Sequence, residues 1–373
     1  MTWSRDTRLF ITAPAGTEIA LKAELRDLGL SGAKAARGGV RVRGGIRAIT
    51  RLCFRSRIAV RVLIEIAQFQ CGEERELDAG IADIPWERWL TPDRTLAVRS
   101  TSKKSRLTHT GFLAQRTKDA VVDRQRRHFG QRSSVERRDP DLGVVLRLDQ
   151  NRATVLLDAS GASLHRRGWR TEEGQAPLKE NLAAALLRLS GWDRKRPLID
   201  PLCGAGTIPI EAELWARGVP AQAYTRRFGF ERWASHDDKA REEADAERRA
   251  GEARTLDRGP ACRGSDHDPE LIGAARANAT RAGANVRFSV ADLAEVEPRE
   301  PSHIIANPPY GERLDDEGVW EALEAAVLRW RRQHHVSLFL PEDAPHIAAT
   351  GKSPLVHPLF NGPIRCQLVT WNR

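Results

Sequence analysis

The sequence lacks a long apolar run, and no stretch of about 18 hydrophobic residues could span a bilayer. Residues 1–6 are mostly polar and contain no apolar signal segment. The five cysteines are widely spaced and form no Cys-x-x-Cys pair. Such thiols argue against a zinc site and against a disulfide framework. We therefore predict no membrane span, no metal and a reducing, cytoplasmic location.

Acidic residues are scarce in the first half of the chain. The net charge of all 373 residues is +10 at pH 7. Residues 1–170 hold 33 Lys and Arg against 19 Asp and Glu, whereas the remainder holds 27 against 31. A general arginine bias would affect both halves, so it does not explain the difference. The asymmetry predicts that the first half contacts a polyanion such as nucleic acid, while the second half does other work.

The hydrophobic pattern predicts an α/β protein with several units. Residues 1–65 and 66–160 read as two units of mixed strands and helices, and residues 161–176 read as a polar linker rich in Gly and Arg. From residue 177 to 373, short apolar strands alternate with helices, which predicts a doubly wound, mostly parallel sheet. Residues 237–258 are highly charged and are expected to form a solvated helix.

Polar residues stand where the first strands of the C-terminal unit are predicted to end, which is where open parallel sheets bind ligands. The first strand ends at Asp200 and enters a turn that contains Gly204 and Gly206, which lets the backbone approach a ligand closely. The turn matches neither a dinucleotide fingerprint nor a phosphate-binding loop. The next two strands end at Asp266 and Asp292, which could accept hydrogen bonds from a ribose and from an adenine amine.

The most specific signal is the tetrapeptide Asn307-Pro308-Pro309-Tyr310, which follows the fourth strand. A rigid turn after a strand would also suit two prolines. An exocyclic amine is a poor nucleophile because its lone pair is delocalised into the ring. The Asn307 side-chain oxygen and the Pro308 carbonyl can each accept one of its N–H groups, and Tyr310 offers a face for stacking. The tetrapeptide therefore predicts methylation of an amine, with alignment as the main source of rate.

These features together resemble the class I methyltransferases that carry an N-terminal THUMP domain, which binds RNA. The resemblance is closest to the guanine-N2-methylating half of the bifunctional bacterial 23S rRNA methyltransferases. It covers almost the whole chain and rests on residues 38–40, 105–123, 157–161, 164–170, 176–183, 200–211, 228–230 with Trp233, 264–266, 307–314 and 361–363. Two departures from the family pattern matter, although the second is mild and leaves the assignment intact. The chain ends at Arg373, without the guanine-N7-methylating domain, and Trp169 replaces an expected tyrosine.

The resemblance implies a ferredoxin-like subdomain at residues 1–65, a THUMP domain at 66–160 and a Rossmann-like methyltransferase domain at 177–373. It implies S-adenosylmethionine as cofactor and a guanine held by Asn307, Pro308, Pro309 and Tyr310. The residues assigned to the cofactor are Lys179, Asn181, Asp200, Pro201, Cys203, Gly204, Gly206, Thr207, Asp266, Asp268, Asp292 and Asn307. Cys203 is expected to pack rather than to react, since no His and acid are placed to activate it.

The basic residues of the first half suit an RNA substrate. Those expected to contact phosphates are Lys103, Lys104, Arg106, Arg116 and Lys118. Any one of them could be an ordinary surface side chain, and the cluster carries the prediction. A target guanine in a duplex would have to be flipped out of its stack to reach the tetrapeptide. The family resemblance, rather than the charge pattern, implies that the reaction is methyl transfer to guanine N2 in 23S rRNA, and we expect that transfer to be direct.

Other functions remain open at this point. A THUMP-bearing tRNA guanine-N2 methyltransferase would share the same motifs. Methylation of adenine N6 or of a release-factor glutamine also uses the tetrapeptide, but neither accounts for the basic first half. A non-catalytic RNA-binding or ribosome assembly factor would not need the glycine turn and the acids. Thiouridine synthesis would require a nucleotide-binding loop that the sequence lacks.

Overall fold

The computed structural model describes residues 3–170, 178–225, 227–309, 318–344 and 353–371, without the side chain of Val319. Its N-terminal part is a run of strands and helices in which each helix is followed by a strand. The elements are β1 (Arg8–Thr12), α1 (Glu18–Asp27), β2 (Lys34–Ala36), β3 (Gly39–Arg43), α2 (Ile46–Arg55), β4 (Arg61–Gln70), α3 (Glu74–Ala82), β5 (Thr95–Lys103), α4 (Thr110–Phe129), β6 (Ser134–Val135), β7 (Leu142–Asp149) and β8 (Arg152–Asp158).

All eight N-terminal strands form one sheet, in the order β2-β3-β1-β4-β8-β7-β5-β6. The junction is strand β4, which pairs antiparallel with β1 along one edge and with β8 along the other. A register shift between Glu65 and Ala67 in β4 marks a bulge at that position. The boundary predicted between residues 65 and 66 thus falls inside a strand that both units share.

Alternation along these strands separates a covered face from an open one. In β3, Val40 and Val42 are buried while Arg41 and Arg43 are exposed. Helices α1 to α4 all bury apolar side chains in one large cluster with the valine side of the sheet. The opposite face carries a separate, small apolar cluster of Phe10, Leu63 and Leu156 among polar and basic side chains.

The C-terminal part contains the alternation of strands and helices that the sequence predicts. The elements are α5 (Glu180–Leu189), β9 (Leu198–Asp200), α6 (Thr207–Ala216), α7 (Asp238–Glu252), β10 (Cys262–Asp266), α8 (Pro269–Arg281), β11 (Val286–Val290), β12 (His303–Ala306), α9 (Gly318–Trp330), β13 (His335–Pro341), β14 (Leu355–Asn361) and β15 (Ile364–Trp371). Short 3₁₀ turns lie at Trp86–Arg88, Gly229–Arg232 and Leu293–Glu295.

The second sheet has the order β11-β10-β9-β12-β13-β15-β14. Strands β9 to β13 pair in parallel, and β15 pairs antiparallel with both β13 and β14. The predicted α/β, doubly wound fold is confirmed. The antiparallel hairpin of β14 and β15 was not predicted. The order reverses at β9, whose neighbours are β10 and β12, and a reversal of this kind opens a crevice at the carboxyl ends.

One expectation about a helix is wrong. The charged segment after residue 237 does form a helix, α7, but it is not fully solvated, because Ala240, Ala244 and Gly251 are buried. They pack toward α2, where Gly251 lies against the Phe54 ring. Small side chains on one face of a charged helix permit this close approach even though they give a weak apolar pattern.

Candidate active site

The carboxyl ends of three adjacent strands bring the predicted site together. Asp200 ends β9, Asp266 ends β10, and Asn307 follows β12 directly. Strand β9 lies between the other two and pairs with both. The parallel pairing places all three polar residues at one edge of the sheet. This is the edge at which the sequence predicts that a ligand binds.

The glycine turn is held to the neighbouring strand by its backbone. The Cys203 amide donates to the Ser265 carbonyl at 2.9 Å, and the Gly204 amide donates to Oδ2 of Asp266, also at 2.9 Å. Gly204 has a φ of 51° and Gly206 a φ of 83°, both in the left-handed region that favours glycine. Asp266 therefore sets the shape of the turn, and a carboxylate with about four lone-pair positions can still accept from a ligand.

Substitution of the two glycines by alanine should have different consequences. A Cβ on Gly206 would lie 2.8 Å from the Phe288 ring and 3.1 Å from Cβ of Ala275, whereas a Cβ on Gly204 meets nothing within 4 Å among the described residues. We expect Gly206→Ala to lower the free energy of unfolding by roughly 3 kcal/mol, from left-handed strain and overpacking. Gly204→Ala should cost roughly 1 kcal/mol, from left-handed strain alone.

Gly204→Ala should instead weaken binding of S-adenosylmethionine, the cofactor that the family resemblance implies, because the methyl group of the new alanine enters the open space beside the strand ends. Thermal unfolding and titration calorimetry of both variants measure the two effects separately. Equal losses of stability in the two variants would contradict this assignment of the turn.

The carboxylates of the site differ in their surroundings. Asp200 is 1% exposed, and burial together with the nearby Asp266 raises its pKa well above the ordinary range. Asp268 caps α8 by accepting from the Glu270 amide at 2.8 Å. Asp292 is exposed at the start of the 3₁₀ turn Leu293–Glu295. Two of the four acids thus also have a local structural task as helix caps.

Asn307 has an unsatisfied acceptor. Its Oδ1 atom is buried and has no hydrogen-bond partner among the described residues. A buried polar atom without a partner costs free energy, and Oδ1 of Asn307 is available to accept a hydrogen bond from a ligand. Pro308 is buried and Pro309 is partly exposed, whereas Tyr310 lies outside the described residues.

The other residues assigned to the cofactor lie in two places. Pro201, Cys203 and Thr207 are buried in the glycine turn or at the start of α6. Burial, with Asp200 and Asp266 nearby, raises the pKa of the Cys203 thiol, which keeps it protonated.

Lys179 is exposed and precedes α5. Burial lowers the pKa of His165 to about 4, and the nearby charge of Lys179 adds to that shift. Asn181 is buried, with Nδ2 pointing at the Ile58 carbonyl 3.5 Å away, so its amide faces the N-terminal part of the chain.

The sequence pattern does not predict the contacts that Arg170 makes at the site. Arg170 donates to the Thr207 hydroxyl and to the Leu178 carbonyl, and its Nε atom lies 3.1 Å from Glu180. Arg170 therefore joins the segment before α5 to the start of α6. No spacing rule relates an arginine to residues that are 8, 10 and 37 positions away, so the pattern gave no signal.

The cations predicted to contact RNA do not form one uniform set. Lys103, Lys104 and Arg106 are exposed at the end of β5 and in the loop after it. Arg116 instead pairs with Asp78 at 2.7 Å and with Glu74 at 3.2 Å, and Lys118 pairs with Asp119. An arginine that two carboxylates already neutralise offers less to a phosphate, so the exposed trio is the stronger part of the prediction.

The described residues contain neither a cluster suited to a metal ion nor a helix suited to a membrane. Within the described ranges, no three His, Cys, Asp or Glu side chains converge as a metal site would require. No helix in that part of the chain has the length and apolar character needed to cross a membrane.

The fold and the site are those of a methyltransferase domain joined to a basic N-terminal domain. The doubly wound domain presents a glycine turn and acids at its strand ends, with Oδ1 of Asn307, which has no partner among the described residues. The basic domain is built on a mixed sheet. Residues 167–368 match the model of the RMKL-like methyltransferase domain family, and the chain belongs to this family. Residues 71–158 match the THUMP domain, and residues 8–63 match the RlmL ferredoxin-like domain. The predicted family resemblance is thereby confirmed.

Similar proteins extend over nearly the whole chain. The ribosomal RNA large subunit methyltransferase K/L of Syntrophotalea carbinolica is 39% identical over 98% of this chain and 53% of its own length. The chain spans about half the length of the curated relatives it matches.

Among solved structures, SMU.472, a proposed methyltransferase complexed with S-adenosylhomocysteine, is 28% identical with a TM-score of 0.87, and the match covers 99% of each chain. A Listeria monocytogenes protein described as a predicted N6-adenine-specific DNA methylase is 29% identical, also with a TM-score of 0.87, over 98% of this chain and 96% of its own. S-adenosylhomocysteine is S-adenosylmethionine after loss of its methyl group. At the level of the family, the predicted cofactor is therefore confirmed.

Proposed function

We propose that this protein transfers a methyl group from S-adenosylmethionine to N2 of a guanine in large-subunit (23S) rRNA. The observation that carries the proposal is the buried Oδ1 of Asn307, which has no hydrogen-bond partner among the described residues and lies beside the ends of β9 and β10. An acceptor in this position suits the N–H of an exocyclic amine. The membership of a methyltransferase family supports the type of reaction.

The residues present fit the cofactor. The space beside Gly204 is open among the described residues, and Asp266 retains lone pairs for ribose hydroxyls. Asp200, Gly204, Gly206, Asp266 and Asp292 would hold the cofactor at the strand ends. When bound, S-adenosylmethionine supplies an activated methyl group on a sulfonium centre.

The chain's own residues would align the acceptor nitrogen. Oδ1 of Asn307 and the carbonyl of Pro308 would each accept one N–H of the amine, which turns the lone pair out of conjugation with the ring. Pro308 and Pro309 have no N–H to compete, and their fixed φ keeps the carbonyl direction rigid. Tyr310 is proposed to stack on the base, which must first leave its duplex. Positioning of this kind supplies rate without general acid–base catalysis.

The transfer is proposed to be direct, without a covalent intermediate on the enzyme. The thiol closest to the site in sequence, Cys203, is 7% exposed, and burial raises its pKa. A buried, protonated thiol is a poor nucleophile. Among the described residues, all five cysteines are buried as free thiols.

An RNA substrate is supported by the first half of the chain. This half matches the THUMP domain and the RlmL ferredoxin-like domain, and relatives at 39% and 38% identity are named as ribosomal RNA methyltransferases. The name of the Listeria monocytogenes protein, which shares both halves, specifies adenine instead. The identity of the base is therefore the point that the decisive experiment must address.

The test is methyl transfer by the purified protein to three substrates: 23S rRNA fragments, total tRNA and single-stranded DNA. Products are digested to nucleosides and resolved by mass spectrometry. We expect N2-methylguanosine from rRNA alone. The same nucleoside from tRNA alone would shift the substrate, and N6-methyladenine would overturn the assignment of the base. Retention of every N2-methylguanosine in 23S rRNA from a strain that lacks the gene would also count against the rRNA assignment.

A further inference from the structure

The open face of the N-terminal sheet contains a cleft of about 360 Å³. It lies on the side away from the apolar cluster that α1 to α4 share with the sheet. Strands β1, β2, β3, β4, β7 and β8 and the segment before β2 all contribute to its lining. Among the described residues, its lining includes neither Asn307, Pro308 and Pro309 nor the glycine turn nor the loop of Lys103, so it is separate from both sites described above. We call it the sheet cleft.

Basic side chains dominate the sheet cleft. Its cations are Arg8, Lys34, Arg41, Arg43 and Arg147, and its carboxylates are Glu65 and Asp149. Arg8 is already paired with Glu65 at 2.6 Å, and Arg43 donates to the carbonyl of Asp6 at 3.0 Å. Arg41 and Arg147 form no ion pair with a carboxylate among the described residues. The sheet cleft therefore has an excess of positive charge that the rest of the described chain does not neutralise.

Arg147 lies over an aromatic ring inside the sheet cleft. Its guanidinium carbon is 4.4 Å from the centroid of the Phe10 ring, and Phe10 is 6% exposed. Burial lowers the pKa of Arg147, the charge of Arg41 lowers it further, and the charge of Asp149 opposes the shift. Arginines that line one cleft repel each other, and a bound anion would relieve that repulsion.

We propose that the sheet cleft binds a single-stranded segment of the RNA substrate, with phosphates on Arg41 and Lys34 and a base stacked on the Arg147 guanidinium. This inference rests on the proposed function and adds a second point of RNA contact, remote in sequence from the loop of Lys103. Its support is charge complementarity: a polyanion compensates both unpaired arginines at once. Stacking on arginine planes and contacts to the backbone are the usual means by which proteins hold unpaired RNA.

The composition of the sheet cleft favours nucleic acid over an isolated phosphate. A site for a single phosphate needs only the converging cations. Here the Phe10 and Arg147 stack adds a flat, partly apolar surface, and Gln68 and Thr154 add polar side chains along the same strip. Such a mixture matches a base joined to a sugar and a phosphate.

The test measures binding of a short, fluorescently labelled single-stranded RNA to the full chain, in the absence of S-adenosylmethionine, over a range of salt. We expect Arg41→Ala and Arg147→Ala each to weaken binding about tenfold, as loss of a phosphate contact or of a stacking partner would. Arg41→Ala should also reduce the slope of log affinity against log salt by about 1, since it removes a phosphate contact.

The matched control is Arg26→Ala. Arg26 is exposed in the last turn of α1, on the covered side of the sheet, and the variant loses the same charge. It should bind RNA like the wild type. An equal loss of affinity in Arg26→Ala would show that net charge alone explains the effect and would overturn the proposal that RNA binds in the sheet cleft. Arg147→Lys addresses the stack, since it keeps the charge without the plane and should remain weaker than the wild type.

Separate measurements distinguish an effect on folding, or on the proposed function, from an effect on RNA binding. Arg41 is exposed, so Arg41→Ala should keep the melting temperature of the wild type. Unchanged RNA binding in Arg41→Ala and Arg147→Ala, with normal methylation by the wild type, would overturn this inference alone. Reduced binding in both variants, with no methylation of any RNA by the wild type, would keep the sheet cleft and overturn the proposed function. Displacement of the RNA by inorganic phosphate at an equal concentration of phosphate groups would show an anion site only and would also overturn the inference.

Discussion

Asn307→Ala should reduce methyl transfer by at least about a hundredfold, because misplacement of the acceptor nitrogen removes the alignment on which the reaction depends. Affinity for S-adenosylhomocysteine should change little, since the glycine turn and Asp266 keep their hydrogen bonds. The stability of the free protein should not fall, because the variant removes a buried Oδ1 atom that has no partner among the described residues. Single-turnover kinetics, calorimetry and thermal unfolding measure the three quantities.

Asn285→Ala is the matched control for this prediction. Asn285 is exposed just before β11, and its loss should leave turnover, binding and stability unchanged. Activity that survives in Asn307→Ala would contradict the proposed mechanism. Loss of cofactor binding together with loss of activity would instead assign Asn307 to the cofactor.

Glu211→Gln should destabilise the protein by roughly 3–5 kcal/mol, the usual cost when a buried charge loses its partner. Glu211 lies in α6 and is fully buried; its Oε2 is 2.9 Å from Nη1 of Arg57 and its Oε1 is 3.1 Å from Nε of Arg167. Both arginines are also buried, and burial lowers the pKa of Arg57 while Glu211 opposes that shift. The isosteric variant would leave two positive charges in the interior with no carboxylate between them.

The consequences of Glu211→Gln should extend to the site. Arg57 precedes β4 in the N-terminal part, and Arg167 precedes the methyltransferase elements, so Glu211 connects α6 to both. Because α6 begins directly after the glycine turn, we expect weaker cofactor binding as well as a lower midpoint in urea. Equilibrium unfolding in urea and calorimetry check the two effects.

Glu213→Gln is the control, two positions away on the same helix. Glu213 is 2% exposed, burial raises its pKa, and its contact with Arg217 is longer, at 3.4 Å. Neutralisation of a carboxylate that is buried at a cost should leave stability unchanged or slightly higher. If both glutamines destabilise the protein equally, the network of Glu211 has no special role.

The sequence itself determined the residues at the crevice. Asp200, Asp266 and Asn307 each follow a short apolar strand, and parallel strands that alternate with helices must place such ends at one edge. Gly204 and Gly206 likewise adopt a left-handed φ, which glycine does readily because it has no Cβ. These features are local in the chain, so the pattern was sufficient to predict them.

Other features depend on which elements become neighbours, and the pattern carries no such information. Alternation in β3 assigns Arg41 to the face opposite Val40, but it does not show that β7 brings Arg147 close to it across β1, β4 and β8. Helix α7 appears solvated in sequence because small residues give little apolar signal, yet they pack against α2. The joining of two N-terminal units through β4 is also a long-range pairing.

The sequence thus determined the chemistry of the strand ends, and the tertiary structure decided how the remaining charges are used. The sequence predicts that Arg116 contacts RNA, but Glu74 and Asp78 pair with it in the structure. No sequence pattern distinguishes Arg57 and Arg167 from surface arginines, yet they are buried around Glu211. The physical reason is that a strand end is defined by its own residues, whereas the charge that a side chain presents to solvent depends on partners far away in the chain.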